Sequence, residues 1–236
     1  LIQSVEFLKD GDFENIRHLI DDALKAGQDK NIGLEYGLDI AERYKEDYRN
    51  TVPTPWPEIN SLLQGGLGGG DLGVIFGGPG GGKSWTLIQL GVFAAIMGYT
   101  VVHYSLELGE GYVGRRYDAC LTKIPVDSIH DNQEKIVEAV MGLKGKIIIK
   151  EYPIKGASLN TLRAHVQKCE SLGHKPDLII IDYIDLLNGS KSKYSDEKAE
   201  LDDLYARAKG WAKELNIPVW SASQVNRAGA QDDIIE

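Results

Sequence analysis

Leu72-Gly73-Val74-Ile75-Phe76-Gly77-Gly78-Pro79-Gly80-Gly81-Gly82-Lys83-Ser84 sets the architecture of this chain. The last eight of these residues fit G-x-x-x-x-G-K-[ST] at every fixed position, and the five before them form an apolar run of strand length. Downstream, Ser84-Trp85-Thr86-Leu87-Ile88-Gln89-Leu90 opens a helical pattern, so the motif sits between a strand and a helix, as a phosphate-binding loop must. Glycines let the backbone wrap an anion and turn successive N–H groups inward, and the helix N-terminus adds partial positive charge. In such a loop Gly78, Pro79, Gly80, Gly81 and Gly82 cradle the phosphates, Lys83 reaches the β and γ positions, the Ser84 hydroxyl sits on Mg²⁺, and Trp85 follows directly in the binding segment. A merely flexible glycine loop with an accidental Lys-Ser is the competing reading. Average residue usage makes such an accident roughly a one-in-a-hundred event in a chain this long, and the strand and helix flanks make it rarer.

Beyond this motif, apolar strand-like runs alternate with helical patterns. Strands are expected at Leu72 to Phe76, Thr100 to Ser105, Lys146 to Lys150, Asp177 to Asp182 and Pro218 to Ser223. Helices are expected near Ser84 to Met97, Gly109 to Leu121, Asn132 to Met141, Leu159 to Ser171 and Ser195 to Leu215. Alternation of this kind gives an α/β fold, a mostly parallel sheet with helices on both faces. Ligands of such sheets bind at the carboxyl ends of the strands.

Three strand ends carry polar groups of use there. Leu178-Ile179-Ile180-Ile181-Asp182 ends in a carboxylate able to hold the Mg²⁺ shell; many buried strands end in Asp only as a turn former. Val101-Val102-His103-Tyr104-Ser105-Leu106-Glu107 delivers Glu107, the best candidate base for an attacking water, with a surface glutamate beside the next helix as the plain alternative. Val219-Trp220-Ser221-Ala222-Ser223-Gln224 ends in an amide that can hydrogen-bond a γ-phosphate and report its loss to the following loop, or is an ordinary polar strand end. Asp185 is either a supporting residue of the metal strand or solvated. Trp56, Trp85, Trp211 and Trp220 are read as core or interface anchors rather than base-stacking platforms, and none of the five histidines shows metal spacing.

With 236 residues, 42% of them apolar, one large α/β domain can be filled. No apolar run approaches the ~20 residues of a membrane span, no signal segment opens the chain, and Cys120 and Cys169 are too few for a disulfide framework, which together suit a soluble cytoplasmic protein. A net charge of −9 excludes a broadly basic nucleic-acid binder. Residues 1–50 hold twelve acidic and seven basic side chains, so more than half of that deficit lies there. They read as a helical extension, with helices after Asp12 (Phe13, Ile16, Ile20, Leu24) and from Leu34 to Tyr48, and Pro53, Pro55 and Pro57 mark an extended boundary to the main domain at 51–236. The absence of an initial Met and of an evident ending reads as a piece of a longer protein.

The phosphate loop, Ser105-Leu106-Glu107-Leu108, Ile179-Ile180-Ile181-Asp182-Tyr183 and Ser223-Gln224-Val225-Asn226-Arg227 occur in the order and approximate spacing of one family. The chain resembles the C-terminal ATPase domain of DnaB-like hexameric replicative helicases, with a RecA-like P-loop core, over about Thr54 to Arg227, and looks closest to a phage-type member. That resemblance implies ATP and Mg²⁺ as cofactors, Glu107 as catalytic glutamate with Lys83 and Gln224, Asp182 with Ser84 as metal ligands, and Gln224 as γ-phosphate sensor. It also implies single-stranded DNA as partner, a homo-hexamer, contact with primase or other replication proteins, and an arginine finger beyond Glu236. Asp185 departs from the family, where Gln is common. DNA contacts are expected from loops, here Lys191 and Lys193 within Gly189 to Tyr194, and Arg227 after Gln224. Arg115 and Arg116 read as a solvent-exposed helix face, or as one turned to a neighbouring subunit. Two other functions share these residues: a RecA-like recombinase forming filaments, and a nucleotide-gated regulatory scaffold.

Overall fold

The isoleucine run of the fourth strand lies at the middle of the sheet because both of its faces are covered. In the computed structural model, residues 50–189 and 197–224 are described. The chain divides into two units, Leu1–Tyr48 and Arg49–Glu236, and the sheet belongs to the second. The helices expected within residues 1–48, and Lys191, Lys193 and Arg227, lie outside the described residues.

Five parallel strands, β1 (Leu72–Gly77), β2 (Thr100–Ser105), β3 (Lys146–Glu151), β4 (Leu178–Asp182) and β5 (Val219–Gln224), form one sheet in the order β1-β5-β4-β2-β3. Six α-helices are present among the described residues: α1 (Pro57–Leu62), α2 (Lys83–Met97), α3 (Glu110–Thr122), α4 (Gln133–Met141), α5 (Leu159–Ser171) and α6 (Glu197–Leu215). Alternate side chains of a strand face opposite ways, and β4 uses both. Ile179 and Ile181 pack with Leu162 and Val166 of α5 and Leu204, Ala208 and Trp211 of α6. Leu178 and Ile180 pack with Leu87, Leu90 and Ala94 of α2. That two-sided burial is why the strand reads as a continuous apolar run instead of an alternation. Each such side chain stabilises the fold by roughly 1.5–3 kcal/mol relative to exposure.

Local signals set the helix limits. Ser158 caps α5 by accepting from the Thr161 N–H, while the Thr161 hydroxyl accepts from the Ser158 N–H. Gly98, at φ 104°, ends α2 in the left-handed conformation that a side chain would resist.

The expected extended segment at the boundary is partly helical, a correction to the proline reading. Pro57 stands at the first helical position of α1, where its missing N–H leaves no bond unmade. The Asn60 amide then staples the turn, donating to Thr54 O and accepting from Thr54 N, each at 2.7 Å. Cys120 is half-buried and Cys169 buried, both free. Among the described residues no helix is long and apolar enough to cross a membrane.

Candidate nucleotide site

Strand order brings the chemistry together. β1, β5, β4 and β2 are neighbours, with Gly77 in register with Gln224 and Ser105 in register with Asp182. Strands spaced by about 4.8 Å put these four tips within roughly 15 Å of one another. Over them lies a cleft of about 330 Å³, lined by the loop from Pro79 to Trp85 and by Glu107, Arg116, Tyr183 and Gln224.

The loop has the conformation that its glycines allow. Gly80 and Gly82 take φ of 72° and 83°, and a Cβ on either would meet no other atom within 4 Å. The space a side chain would fill is therefore open to an anion. Lys83, the first residue of α2, points its Nζ back across the loop, donating to Gly77 O at 2.9 Å and Gly78 O at 3.0 Å. A triphosphate would give that ammonium stronger acceptors at the same mouth.

Asp182 is buried and Glu107 exposed, so two carboxylates of one site sit in different environments. Burial raises the Asp182 pKa. The Ser84 hydrogen bond lowers it, Glu107 raises it further, and Arg116 and Lys83 lower it. Each of those groups acts on Asp182 because all of them meet at the strand tips. Asp182 Oδ1 is buried with no hydrogen-bond partner. An orphaned carboxylate oxygen beside a serine hydroxyl is a hard-oxygen donor set that fits Mg²⁺. Among the described residues no group of three or more His, Cys, Asp or Glu could hold a metal alone. Mg²⁺ needs no such cage, since it keeps waters and phosphate oxygens as ligands.

A family model of the DnaB-like helicase C-terminal domain matches residues 51–233. The chain belongs to that family. A DnaB-like replicative helicase of Enterobacteria phage T4 is 27% identical over 223 residues, 87% of this chain and 46% of that protein. The chain thus spans about half the length of that relative. One solved ATPase domain superposes with a TM-score of 0.67 at 17% identity, covering 86% of this chain and 75% of that one. A DnaB-like replicative helicase, solved in a study of its interactions with primase, gives 0.68 at 18% identity, covering 98% and 58%. These likenesses show a RecA-like ATPase fold.

For three residues of this DnaB-like domain the structure decides between readings that the sequence leaves open. Arg116 is half-buried at the cleft rather than on a solvated face, with its guanidinium 5.2 Å from the ring centre of Trp85 and 4.9 Å from that of Tyr112. Trp85 is accordingly exposed at the cleft under that cation, whereas Trp211 is buried in the core. Asp185 is neither solvated nor free, since Tyr205 and Ser223 both donate to it. Nothing in the sequence places Arg116 at the cleft, and nothing there joins Asp185 to Tyr205, twenty residues away. A larger cavity of about 440 Å³ against β3 is lined largely by apolar groups such as Val92, Leu121 and Ile147. It contains none of the candidate site residues, and convergent polar chemistry identifies a site better than size does.

Proposed function

We propose that the chain is the ATP-hydrolysing motor domain of a replicative DNA helicase, binding ATP with Mg²⁺ and working as one subunit of a homo-hexamer that moves on single-stranded DNA. The observation that carries this reading is the convergence of the glycine loop, Glu107, Gln224 and the Ser84–Asp182 pair on one cleft. Gly78 to Gly82 hold the phosphates, and Lys83 leaves its loop carbonyls for the β and γ oxygens. Ser84 and Asp182 would hold Mg²⁺, which when bound would supply positive charge to offset that of the phosphates. Glu107, exposed to the cleft and so able to meet water, accepts the proton of the attacking water. Gln224 hydrogen-bonds the terminal phosphate, and Arg116 balances its charge. Lys191, Lys193 and Arg227 are proposed as DNA contacts, primase or other replication proteins as partners, and the cytoplasm as location.

The test is ATP turnover by the full chain with single-stranded DNA present, beside Lys83→Ala. Turnover in the wild type and its loss in the variant are expected; equal rates in the two would refute the reading. Electron micrographs with ATP and DNA should show closed six-membered rings, and extended filaments would favour a recombinase instead.

A further inference from the structure

We propose that Asp185 is a positioning residue for Gln224, clamping the tip of β5 to α6 through the hydroxyls of Ser223 and Tyr205. The inference rests on the reading of the cleft as an ATP-hydrolysing site. Asp185 lies in the 3₁₀ turn Ile184–Leu186 that follows β4. Its Oδ1 accepts from Tyr205 Oη of α6 at 2.5 Å, and its Oδ2 accepts from Ser223 Oγ of β5 at 3.0 Å. A carboxylate can take both hydroxyls at once because it offers two acceptor oxygens and no donor. Such charge-assisted bonds are short and strong.

The turn itself has little freedom. Ile184 N donates to Ser221 Oγ at 3.0 Å, and Ser221 Oγ donates to Ile181 O at 2.8 Å, so β4 and the turn are fastened to β5. Lys155 Nζ donates to the carbonyls of Asp185 and Leu187 at 3.0 and 2.9 Å, fastening the turn from the side of α5. Asp185 therefore holds Ser223 from a fixed base, and Ser223 directly precedes Gln224.

Gln224 needs that support. It is the exposed last residue of β5, on a long side chain whose rotamers are costly to order. A phosphate oxygen only accepts, so the amide must present its NH₂ to the cleft. Tyr183 Oη donates to Gln224 Oε1 at 3.4 Å, which occupies the carbonyl oxygen and leaves the NH₂ available. Tyr183 sits two residues before Asp185, so one turn fixes both the backbone of Gln224 and the sense of its amide.

Tyr205→Phe and Ser223→Ala each remove one hydroxyl of the clamp and keep every group lining the cleft. In the full chain each should lower kcat for ATP on the order of tenfold, as expected when a reacting group is displaced by a fraction of an ångström. KM and ADP affinity should stay within about twofold, because Lys83 and the loop are untouched. The double variant should lose little more than the worse single, since both hydroxyls act through one carboxylate. Unchanged kcat in both singles would overturn the proposal, as would a loss of kcat accounted for by a lower folded fraction in thermal melts. If the wild type neither binds nor turns over ATP, the reading of the cleft fails and takes this inference with it.

Discussion

Lowering the pH from 7 to 5 should remove about 2 kcal/mol of stability through one side chain, His103. The ring is fully buried on β2, with Nδ1 2.8 Å from Tyr117 Oη of α3 and Nε2 without a hydrogen-bond partner. Burial drives its pKa down from 6.5 to about 3. In the unfolded chain the ring takes up a proton as the pH falls below 6.5, whereas in the folded chain it stays neutral to about 3. Across that window the unfolded state binds more protons. The contribution to stability is thus complete above the unfolded pKa and is lost as the pH falls toward the folded one, at a limiting slope of roughly 1.4 kcal/mol per pH unit. His165 is also lowered by burial and acts with the same sign, so the slope must be compared with a variant's. His103→Asn puts an untitratable amide where Nδ1 meets Tyr117. It costs stability at every pH, through the cavity left by the ring, but should flatten the curve. The assay is urea unfolding followed by tryptophan fluorescence at pH 7, 6 and 5. All four tryptophans, Trp56, Trp85, Trp211 and Trp220, lie in the unit Arg49–Glu236, so the signal reports the sheet that contains His103. Parallel curves for wild type and variant would show that His103 does not carry the pH dependence.

Asp182→Asn should raise the melting temperature at pH 7 in buffer free of nucleotide and Mg²⁺, while abolishing Mg²⁺-dependent turnover. The sign follows from a carboxyl whose pKa burial has raised above 3.8: its contribution to stability is present below the ordinary pKa and lost as the pH rises through the folded one. Ser158→Ala removes the capping hydroxyl of α5 and should cost about 1 kcal/mol in urea unfolding. Its turnover per folded molecule should be unchanged, because α5 contributes no side chain to the cleft.

The strands are legible because each signal is local. Thr100–Ser105 and Leu178–Asp182 are mostly apolar runs with a polar side chain at the end, and a buried strand needs little more from its sequence, while the half-buried Leu72–Gly77 is marked by the glycine loop that follows it. Glu107 just beyond β2, Gln224 at the tip of β5 and Lys83 after the glycine loop are legible because each stands at or just past the end of such a run, and the sheet order brings them to one cleft. α1 is not, because three prolines suggest extension, while the bonds that fold the turn run between Thr54 and Asn60 and have no periodic signature. Arg116, Asp185 and Tyr205 stay hidden because their meaning lies across elements. A helix residue gains a role from the strand it happens to overhang, and no spacing along the chain records that.

The same burial that makes β4 a good strand makes Asp182 a costly one to end on. Ile181 and Ile184 on either side are fully buried, and the carboxylate between them keeps an oxygen that no group satisfies. Lys83 stands nearby with the opposite difficulty, its ammonium spread over two carbonyls of its own loop. A nucleotide carrying Mg²⁺ would answer both, bringing a cation to Asp182 and phosphate oxygens to Lys83. Part of the binding free energy of such a ligand would then come from satisfying a buried carboxylate that the fold leaves unpaired, so a substitution that removes its charge should stabilise the chain and weaken any grip on ATP. That trade follows from where the sheet places the two charges, and it accounts for an unpaired carboxylate oxygen at the end of an otherwise well-packed strand.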